Sequence, residues 1–591
     1  MTKSAQKDEI RLQGIGVSPG IAWGPAEILG KAFEEPEITP IRRSDVDAEK
    51  ARLTLALVAT RDQILDLQRQ MEEQEGESHA SIFDAHLLIL EDSTVLNEVL
   101  RVCENKLISI DSAYFTVVKR YIDSLRKIAD PYLRERAVDI EDVAGRVLKN
   151  LRWSEARPES EDNNGAAGVL LAHDLTPSDT VGLDRSRVKA FATEVGSATS
   201  HTAIMARSLN IPAVVALHEI PDSFGAAGEK VLIDGFHGLV ILNPSEETLE
   251  DYRLLQEKEQ ALLSDLDTFR GRETKTADER RITLSSNIEF VEELPLVAQN
   301  DAEGVGLYRT EFFYLSEPDL RTEEKQTENY RLVAEATNPH GVIIRTLDIG
   351  GDKLFPEMAE KPEPNPFLGW RGIRMSLDRP EEFRVQLRSI LRASAHGKVR
   401  VMFPFISALE EILGAKEELE KAKRELDLEG IEFDRDIEIG AMIEIPSAVL
   451  IADHLAKEVD FFSIGTNDLI QYTTAVDRVN DRVADLYQPM HPSVLSMLRT
   501  TVEAAHRHQI WCGVCGEAAS DFFMTPIWMG LQVDELSVGS AQLLKIRKAI
   551  SCLDSEECAD LLEQVLQCGT EKEVAGLCRN VVDKAYPELV F

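Results

Sequence analysis

Basic residues are scarce in this 591-residue chain. Lys and Arg total 65 against 104 Asp and Glu, a formal charge of −39. A surface of that sign repels nucleic acid and anionic membrane, so neither is expected as a partner, and a basic protein partner suits it better. Part of the excess also serves solubility. Cysteine is scarcer still: seven, an odd number, too few for a disulfide scaffold and in keeping with a reducing compartment. No run approaches the roughly 20 apolar residues that span a bilayer. The opening MTKSAQKDEIRLQG lacks the apolar core of a signal peptide. These absences set the expectation of a soluble, cytoplasmic chain. What is present is globular composition, 43% hydrophobic and 29% charged. The chain is too long for a single core, and its length suggests about three or four domains.

The first thirty residues read as glycine-punctuated strand, from Gly14 to Gly20 and on through Ala26. From about Ser44 the pattern turns helical. Leu53, Leu57, Ile64, Leu67 and Met71 recur at intervals of three, four and seven, with Ser44 and Asp45 as plausible caps. Helical patterning continues through Phe83–Leu100 and Ile108–Leu151. After the polar linker Glu159–Gly168, short strand runs resume at Val169–Ala172, Val188–Val195, Ile211–Ala216, Lys230–Ile233 and Leu239–Leu242. The helical block therefore reads as an insertion into an α/β domain that begins near residue 10. Glu246–Arg270, striped by Leu249, Tyr252, Leu255 and Leu262, is expected as a connecting helix.

The second half holds eight β-rich runs, each followed by room for a helix. They are Ile282–Ser286, Gly304–Tyr308, Val342–Thr346, Val399–Phe405, Ile439–Ile445, Phe461–Gly465, Trp511–Val514 and Glu535–Val538. That alternation predicts a (β/α)8 TIM barrel, whose chemistry sits where strands end. Polar residues cluster at those ends: Arg309, Arg345, Asp348, Glu444, Asn467, Asp468, Cys515 and Glu517. Arginines and carboxylates also pair on barrel rims for stability alone, but a whole set converging on one mouth points to a ligand. Arginine forks suit phosphate or carboxylate, and Glu444 with Asp468 supplies the hard oxygens Mg2+ prefers. The inferred guest is small, multiply anionic and phosphorylated.

Cys512-Gly513-Val514-Cys515 has no second cysteine pair or matched histidines for zinc, nor the context of a thioredoxin-like pair. The spacing is read as accidental, with Cys515 facing the barrel mouth and Cys512 pointing elsewhere. In the first half, Ser200 can cap a helix that begins at His201. A histidine there is either structural or solvated, or a phosphoryl acceptor, because the helix N-terminus favours neutral imidazole and an incoming anion.

Assembled, these residues resemble enzyme I of the bacterial phosphotransferase system, the phosphoenolpyruvate–protein phosphotransferase family. The resemblance runs from Gly14–Gly20 to the last barrel strand. Its most specific pieces are Thr199–Ile204 (TSHTAI), Gly306–Glu311 (GLYRTE), Arg345–Lys353 (RTLDIGGDK), Asn365–Arg374 (NPFLGWRGIR) and Phe461–Arg478. It implies an enzyme that takes phosphate from phosphoenolpyruvate onto its own histidine, then passes it to a histidine of the phosphocarrier HPr, the first step of sugar uptake by that system. By motif, His201 is the implied phosphoacceptor and Thr180 the partner of its ring. Arg309, Arg345 and Arg478, with Asn467, are implied to hold substrate. Glu444 and Asp468 are implied to bind Mg2+, with Asp468 also at the substrate. Cys515 is implied to protonate the enolate carbon.

The fold class expected is multidomain α/β. An α/β phosphohistidine domain (1–33 and 158–245) carries an all-helical, HPr-binding subdomain (34–157). A helical linker (246–271) leads to a TIM barrel (272–591) that binds phosphoenolpyruvate and forms a homodimer. Pyruvate phosphate dikinase and phosphoenolpyruvate synthase share the histidine and barrel domains, but they need a nucleotide domain for which the helical block is too short. The nitrogen-regulatory form of enzyme I carries a sensory domain that is not expected before Gly14. A non-catalytic relative would have lost a site residue. One departure stands out: Gly196-Ser197-Ala198 replaces the family's usual two glycines and a basic residue before Thr-Ser-His.

Overall fold

A computed structural model describes residues 9–29, 36, 38–75, 82–126, 131–153, 168–173, 175, 188–196, 206, 211–217, 220, 229–311, 321–350, 365–478, 480 and 482–590. The chain divides into two compact units, Met1–Lys258 and Glu259–Phe591.

The glycine-punctuated opening is three strands, β1 (Ile10–Gln13), β2 (Ile15–Ser18) and β3 (Ile21–Leu29). They join β4 (Gly168–Ala172), β5 (Val188–Thr193), β6 (Ala213–Val215), β7 (Lys230–Asp234) and β8 (Leu239–Leu242) in one sheet. Its order is β1-β8-β7-β3-β4-β5-β6-β2. β1 pairs antiparallel with β8 and β2 antiparallel with β6, so two strands adjacent in sequence lie on opposite edges. β3 runs parallel to β4. The helices fall between these two partners, so the sheet is continuous across the insertion.

The inserted helices span Val46–Glu75, Ile82–Leu90, Ser93–Lys106, Ile110–Arg126 and Pro131–Trp153. Leu53 and Ile64 of the predicted stripe are buried, and Leu57 and Leu67 pack against the same core, which includes Phe83, Ile110, Val143 and Val147. Ser44 and Asp45 do not cap the first long helix. They form a 3-10 turn, Arg43–Asp45, in which the Asp45 carboxylate accepts from the Arg42 amide. On the second helix Phe83 is buried, Leu87 packs on the core and Leu88 is exposed. The helix Glu246–Asp267 runs across the boundary between the units. Leu249 belongs to a core with Leu232 and Ile241, and Leu262 and Leu266 to the core of the second unit, while Leu255 is exposed.

The second unit is a closed barrel of eight parallel strands. The strands are β9 (Thr283–Ile288), β10 (Val305–Arg309), β11 (Val342–Arg345), β12 (Val399–Phe403), β13 (Ile439–Ile443), β14 (Phe461–Ile464), β15 (Trp511–Val514) and β16 (Glu535–Gly539). All eight predicted runs are present. Two stop two residues short of the predicted end, β12 at Phe403 rather than Phe405 and β13 at Ile443 rather than Ile445, and β11 and β14 each stop one residue short. Leu307, Ile343, Met402, Met442, Phe461 and Cys515 pack together. Cys512 lies instead in the larger core that includes Ile470, Leu498 and Trp528. The two cysteines of the CxxC thus face different cores, and both are free thiols. Among the described residues no helix is long and apolar enough to cross a membrane.

Candidate active site

Parallel strands deliver their C-terminal ends to one mouth, so side chains distant in sequence converge there. Arg309 ends β10, Arg345 ends β11 and Glu444 follows β13 directly. Asn467 and Asp468 lie in the first turn of the helix Thr466–Thr474 after β14, Arg478 lies just beyond that helix, and Cys515 follows β15.

The deepest part is a charge network. Arg345 Nη2 donates to Glu311 Oε2 at 3.0 Å, and its Nη1 lies 3.2 Å from Asp348 Oδ2. Glu311 Oε1 accepts from the Asp348 amide at 3.0 Å. Arg371 Nη2 lies 2.9 Å from Asp348 Oδ2 and 2.9 Å from Asp468 Oδ2, bridging two carboxylates. Arg371 Nη1 donates to the Tyr472 hydroxyl, which donates in turn to the Phe367 carbonyl. Burial disfavours both guanidinium ions, but for Arg345 the Glu311, Asp348 and Glu444 carboxylates outweigh it and hold the charge. For Arg371 the Asp348, Asp468 and Glu444 carboxylates do the same.

Asp348, Glu444 and Asp468 each bring an oxygen to within 4.8 Å of the others, and all three residues are buried. Burial, then the Asp468 and Asp348 charges, raises the Glu444 carboxyl well above the usual carboxylate range. Glu444 Oε1 is pinned by the Phe405 amide at 2.6 Å. Delivering that amide puts Phe405 at φ +58°, which is uncommon for a residue with a side chain. Its ring is covered by Arg371 at 4.4 Å and Arg374 at 4.9 Å.

Nearer the rim, Arg309 pairs with Glu289 at 2.5 Å. Asn467 and Glu517 exchange two hydrogen bonds: the Asn467 side chain donates to Glu517 Oε1, and the Glu517 amide donates to Asn467 Oδ1, each at 2.9 Å. Arg478 donates to the same Glu517 oxygen at 3.2 Å. The Arg309 and Arg478 side chains are 29% and 40% exposed, against 11% and 10% for Arg345 and Arg371, so the first two are the accessible donors. Cys515 is buried, its Sγ 3.7 Å from the Ile464 carbonyl. Burial pushes its thiol up to about 11, so it is protonated near neutrality. The Arg345, Glu444 and Arg309 charges all act on it.

Eight of the residues expected at the barrel mouth are at strand ends as predicted. His201 and Thr180 lie outside the described residues. Sequence reasoning left Glu311 and Arg371 without a role, and placed Asp348 at the mouth without making it a cation ligand. The signal was available, since all three lie inside the motif runs GLYRTE, RTLDIGGDK and NPFLGWRGIR. Tyr472 lies inside the run Phe461–Arg478 as well, whereas Phe405 carried no such signal.

Three family comparisons account for most of the chain. Residues 13–136 match the PEP-utilising enzyme N-terminal family, 165–238 the PEP-utilising enzyme mobile domain, and 264–555 the PEP-utilising enzyme PEP-binding domain. A phosphoenolpyruvate-protein phosphotransferase of Staphylococcus carnosus is 42% identical over 97% of this chain and 100% of its own length. The chain belongs to the phosphoenolpyruvate-protein phosphotransferase family. Proteins of the same name from Enterococcus faecalis and Priestia megaterium are each 41% identical over 96% of this chain and 98% of their own. Within this family the barrel mouth described above falls in the region matched by the PEP-binding domain.

Proposed function

We propose that this protein transfers the phosphoryl group of phosphoenolpyruvate to His201, releasing pyruvate, and then to a histidine of HPr. The observation that carries this reading is the barrel mouth, where buried carboxylates and arginines converge at the ends of parallel strands. Four carboxylates (Glu311, Asp348, Glu444, Asp468) face two guanidinium ions (Arg345, Arg371), an excess of two negative charges. Burial and, after it, the Asp468 and Asp348 charges raise the Glu444 carboxyl, and with all four carboxylates ionised the excess matches the charge of a divalent cation. Hard oxygens in this number fit Mg2+. Glu444 and Asp468 would hold it, with Asp348 as a third donor, and the ion would neutralise charge on the phosphate and the departing enolate.

The chain's own residues do the rest. Arg309, Arg345, Arg478 and Asn467 bind and orient the phosphate and carboxylate of the substrate, a transfer that depends on placement and charge neutralisation. The phosphorus–oxygen bond of phosphoenolpyruvate breaks as a bond from phosphorus to His201 Nε2 forms, with Nδ1 held by Thr180. The enolate left behind takes a proton on carbon from the Cys515 thiol, giving pyruvate; a thiol raised to about 11 holds that proton until the carbanion-like carbon is there to receive it. The helical insertion (34–157) is the docking surface for HPr, and the barrel (272–591) is the dimerisation unit. The α/β domain (1–33 and 158–245) carries the phosphohistidine, and the cytoplasm is its compartment.

Incubation with labelled phosphoenolpyruvate and Mg2+ tests the reading. The wild-type chain should become labelled and pass label to HPr, and His201→Ala should take up none while binding phosphoenolpyruvate normally. Undiminished labelling of His201→Ala would refute the assignment.

A further inference from the structure

The opposite end of the barrel, where the strands begin, carries a cavity of about 380 Å3. Arg281, Glu303, Lys398, Arg400, Trp511 and Glu535 are among its walls. Acidic groups lie deep in it. Glu535 is 8% exposed and turns into the barrel, where its Oε1 lies 2.5 Å from the position a Cβ on Gly306 would take. Glu303 Oε2 accepts from Arg281 at 2.9 Å, but its Oε1 is buried without a hydrogen-bond partner. Ser285 is the side chain within reach of Glu535, and its hydroxyl also donates to the Glu303 carbonyl at 3.2 Å.

Basic groups lie at the rim. The Arg281 and Lys398 side chains are 57% and 49% exposed. Lys398 Nζ stands 3.6 Å from Glu438, whose other oxygen takes the Arg400 guanidinium at 2.8 Å. Arg400 also covers the Trp511 ring, which stacks on Phe461 at 4.4 Å and closes one wall.

A polar ring at this end of a barrel commonly serves stability alone. That role would match each buried acceptor with a donor, and here Glu303 Oε1 is unmatched while Glu535 has only a hydroxyl. An ammonium group brings three donors and a positive charge to such a floor. Cationic side chains at the rim answer an anion at the other end of the same molecule. We infer that this cavity is a second binding site, for a small aminocarboxylate whose ammonium meets Glu535 and Glu303 and whose carboxylate meets Lys398 and Arg281. It lies at the far end of the strands from the proposed phosphoenolpyruvate site.

Calorimetric titration of the full chain with 4-aminobutanoate, butylamine and butanoate tests this. The aminocarboxylate should bind one per chain, butylamine about tenfold or more weakly, and butanoate more weakly still. Glu535→Gln should weaken 4-aminobutanoate by about tenfold or more, the cost of one charged hydrogen bond. Lys398→Ala, on the exposed rim, should weaken it less and settles the matter should the buried substitution misfold. Both variants should still be labelled by phosphoenolpyruvate, so failure here is distinguishable from failure of the proposed function. No binding of any probe at millimolar concentration, affinity unchanged in the folded variants, or butanoate binding as well as 4-aminobutanoate would each overturn the inference. The first of these is also the result expected if Glu535 and Glu303 simply share a proton.

Discussion

Gly465→Ala should cripple the proposed cation site without touching a charged residue. Gly465 joins β14 to the helix Thr466–Thr474 at φ −82°, ψ 82°, which alanine adopts readily, so backbone strain is not the issue. Space is. A Cβ at this position would stand 2.6 Å from Glu444 Oε2, 3.0 Å from Glu444 Cβ and 3.2 Å from Met442 Cγ. The first distance is about 0.8 Å short of ordinary contact. Glu444 has little freedom to yield, because it is 3% exposed and its other oxygen is held by the Phe405 amide at 2.6 Å. Phe405 is itself clasped by two arginines on its ring and by Tyr472 at its edge. The carboxylate must therefore move. Overpacking of this kind costs about 1–3 kcal/mol, and misplacing a reacting group by 1 Å can cost about 100-fold in rate. Calorimetric titration of Mg2+ in the presence of phosphoenolpyruvate should show metal affinity lowered about tenfold or more. Labelling of His201 should slow by about 100-fold and recover in part at high Mg2+. Unchanged Mg2+ affinity in a folded Gly465→Ala protein would refute the reasoning, because the clash would then have been absorbed away from Glu444.

Asp348→Asn removes one of the three clustered carboxylates and one partner of Arg371, and should weaken Mg2+ about tenfold by the same titration. Cys515→Ala should still allow label onto His201 but slow enolate protonation by about 10²–10⁴-fold, so that enolpyruvate is the first product seen by NMR. The Cys515 thiol, raised to about 11, is protonated at every lower pH; its alkylation by iodoacetamide should therefore rise about tenfold per pH unit between pH 7 and 10. A rate flat across that range would place the thiol elsewhere on the scale. The sequence of the helical insertion carries an acidic stretch, Glu72, Glu73, Glu75 and Glu77; replacing all four with glutamine should slow transfer to HPr and blunt its salt dependence, while self-phosphorylation is unchanged. Light scattering with Mg2+ and phosphoenolpyruvate should report a dimer, and a monomer at high concentration would count against the barrel as dimerisation unit.

The barrel was legible because strands buried on both faces leave apolar runs, as in Val342–Ile344 and Ala441–Ile443, and because eight β-rich runs alternate with helix-length stretches. Its ends were less so, for a reason the site explains. Val399–Phe405 looks like one strand, but Phe405 has to leave it to aim an amide at Glu444, and a φ of +58° has no signature in a phenylalanine. The first sheet was read correctly in its pieces and not in its order. Gly14 separates β1 from β2, and nothing in Ile10–Ser18 distinguishes a continuous strand from two that part to opposite edges, because that choice is made by partners more than 190 residues away. Glu444 and Asp468 stood out as hard ligands at neighbouring strand ends. Asp348 lies within 4.8 Å of both and is tied to Asp468 by Arg371, a residue from a different loop, and links of that kind are three-dimensional.

That link also bears on how the site works. Arg371 bridges Asp348 and Asp468 with a single nitrogen, 2.9 Å from each, so the guanidinium already acts as a cation among the carboxylates. On the proposed reading, Asp468 cannot serve a metal fully while it serves Arg371. Arg371 has to loosen its hold on Asp468 as the substrate complex assembles, and its fork then faces the mouth with donors to spare. Tyr472 and the Phe405 ring keep it in place through that exchange, since neither is among the carboxylates offered to the metal. The excess of carboxylate over guanidinium then follows from the chemistry: a mouth neutral on its own would have no call for a divalent ion, and one with more bare carboxylate would repel a substrate as anionic as phosphoenolpyruvate.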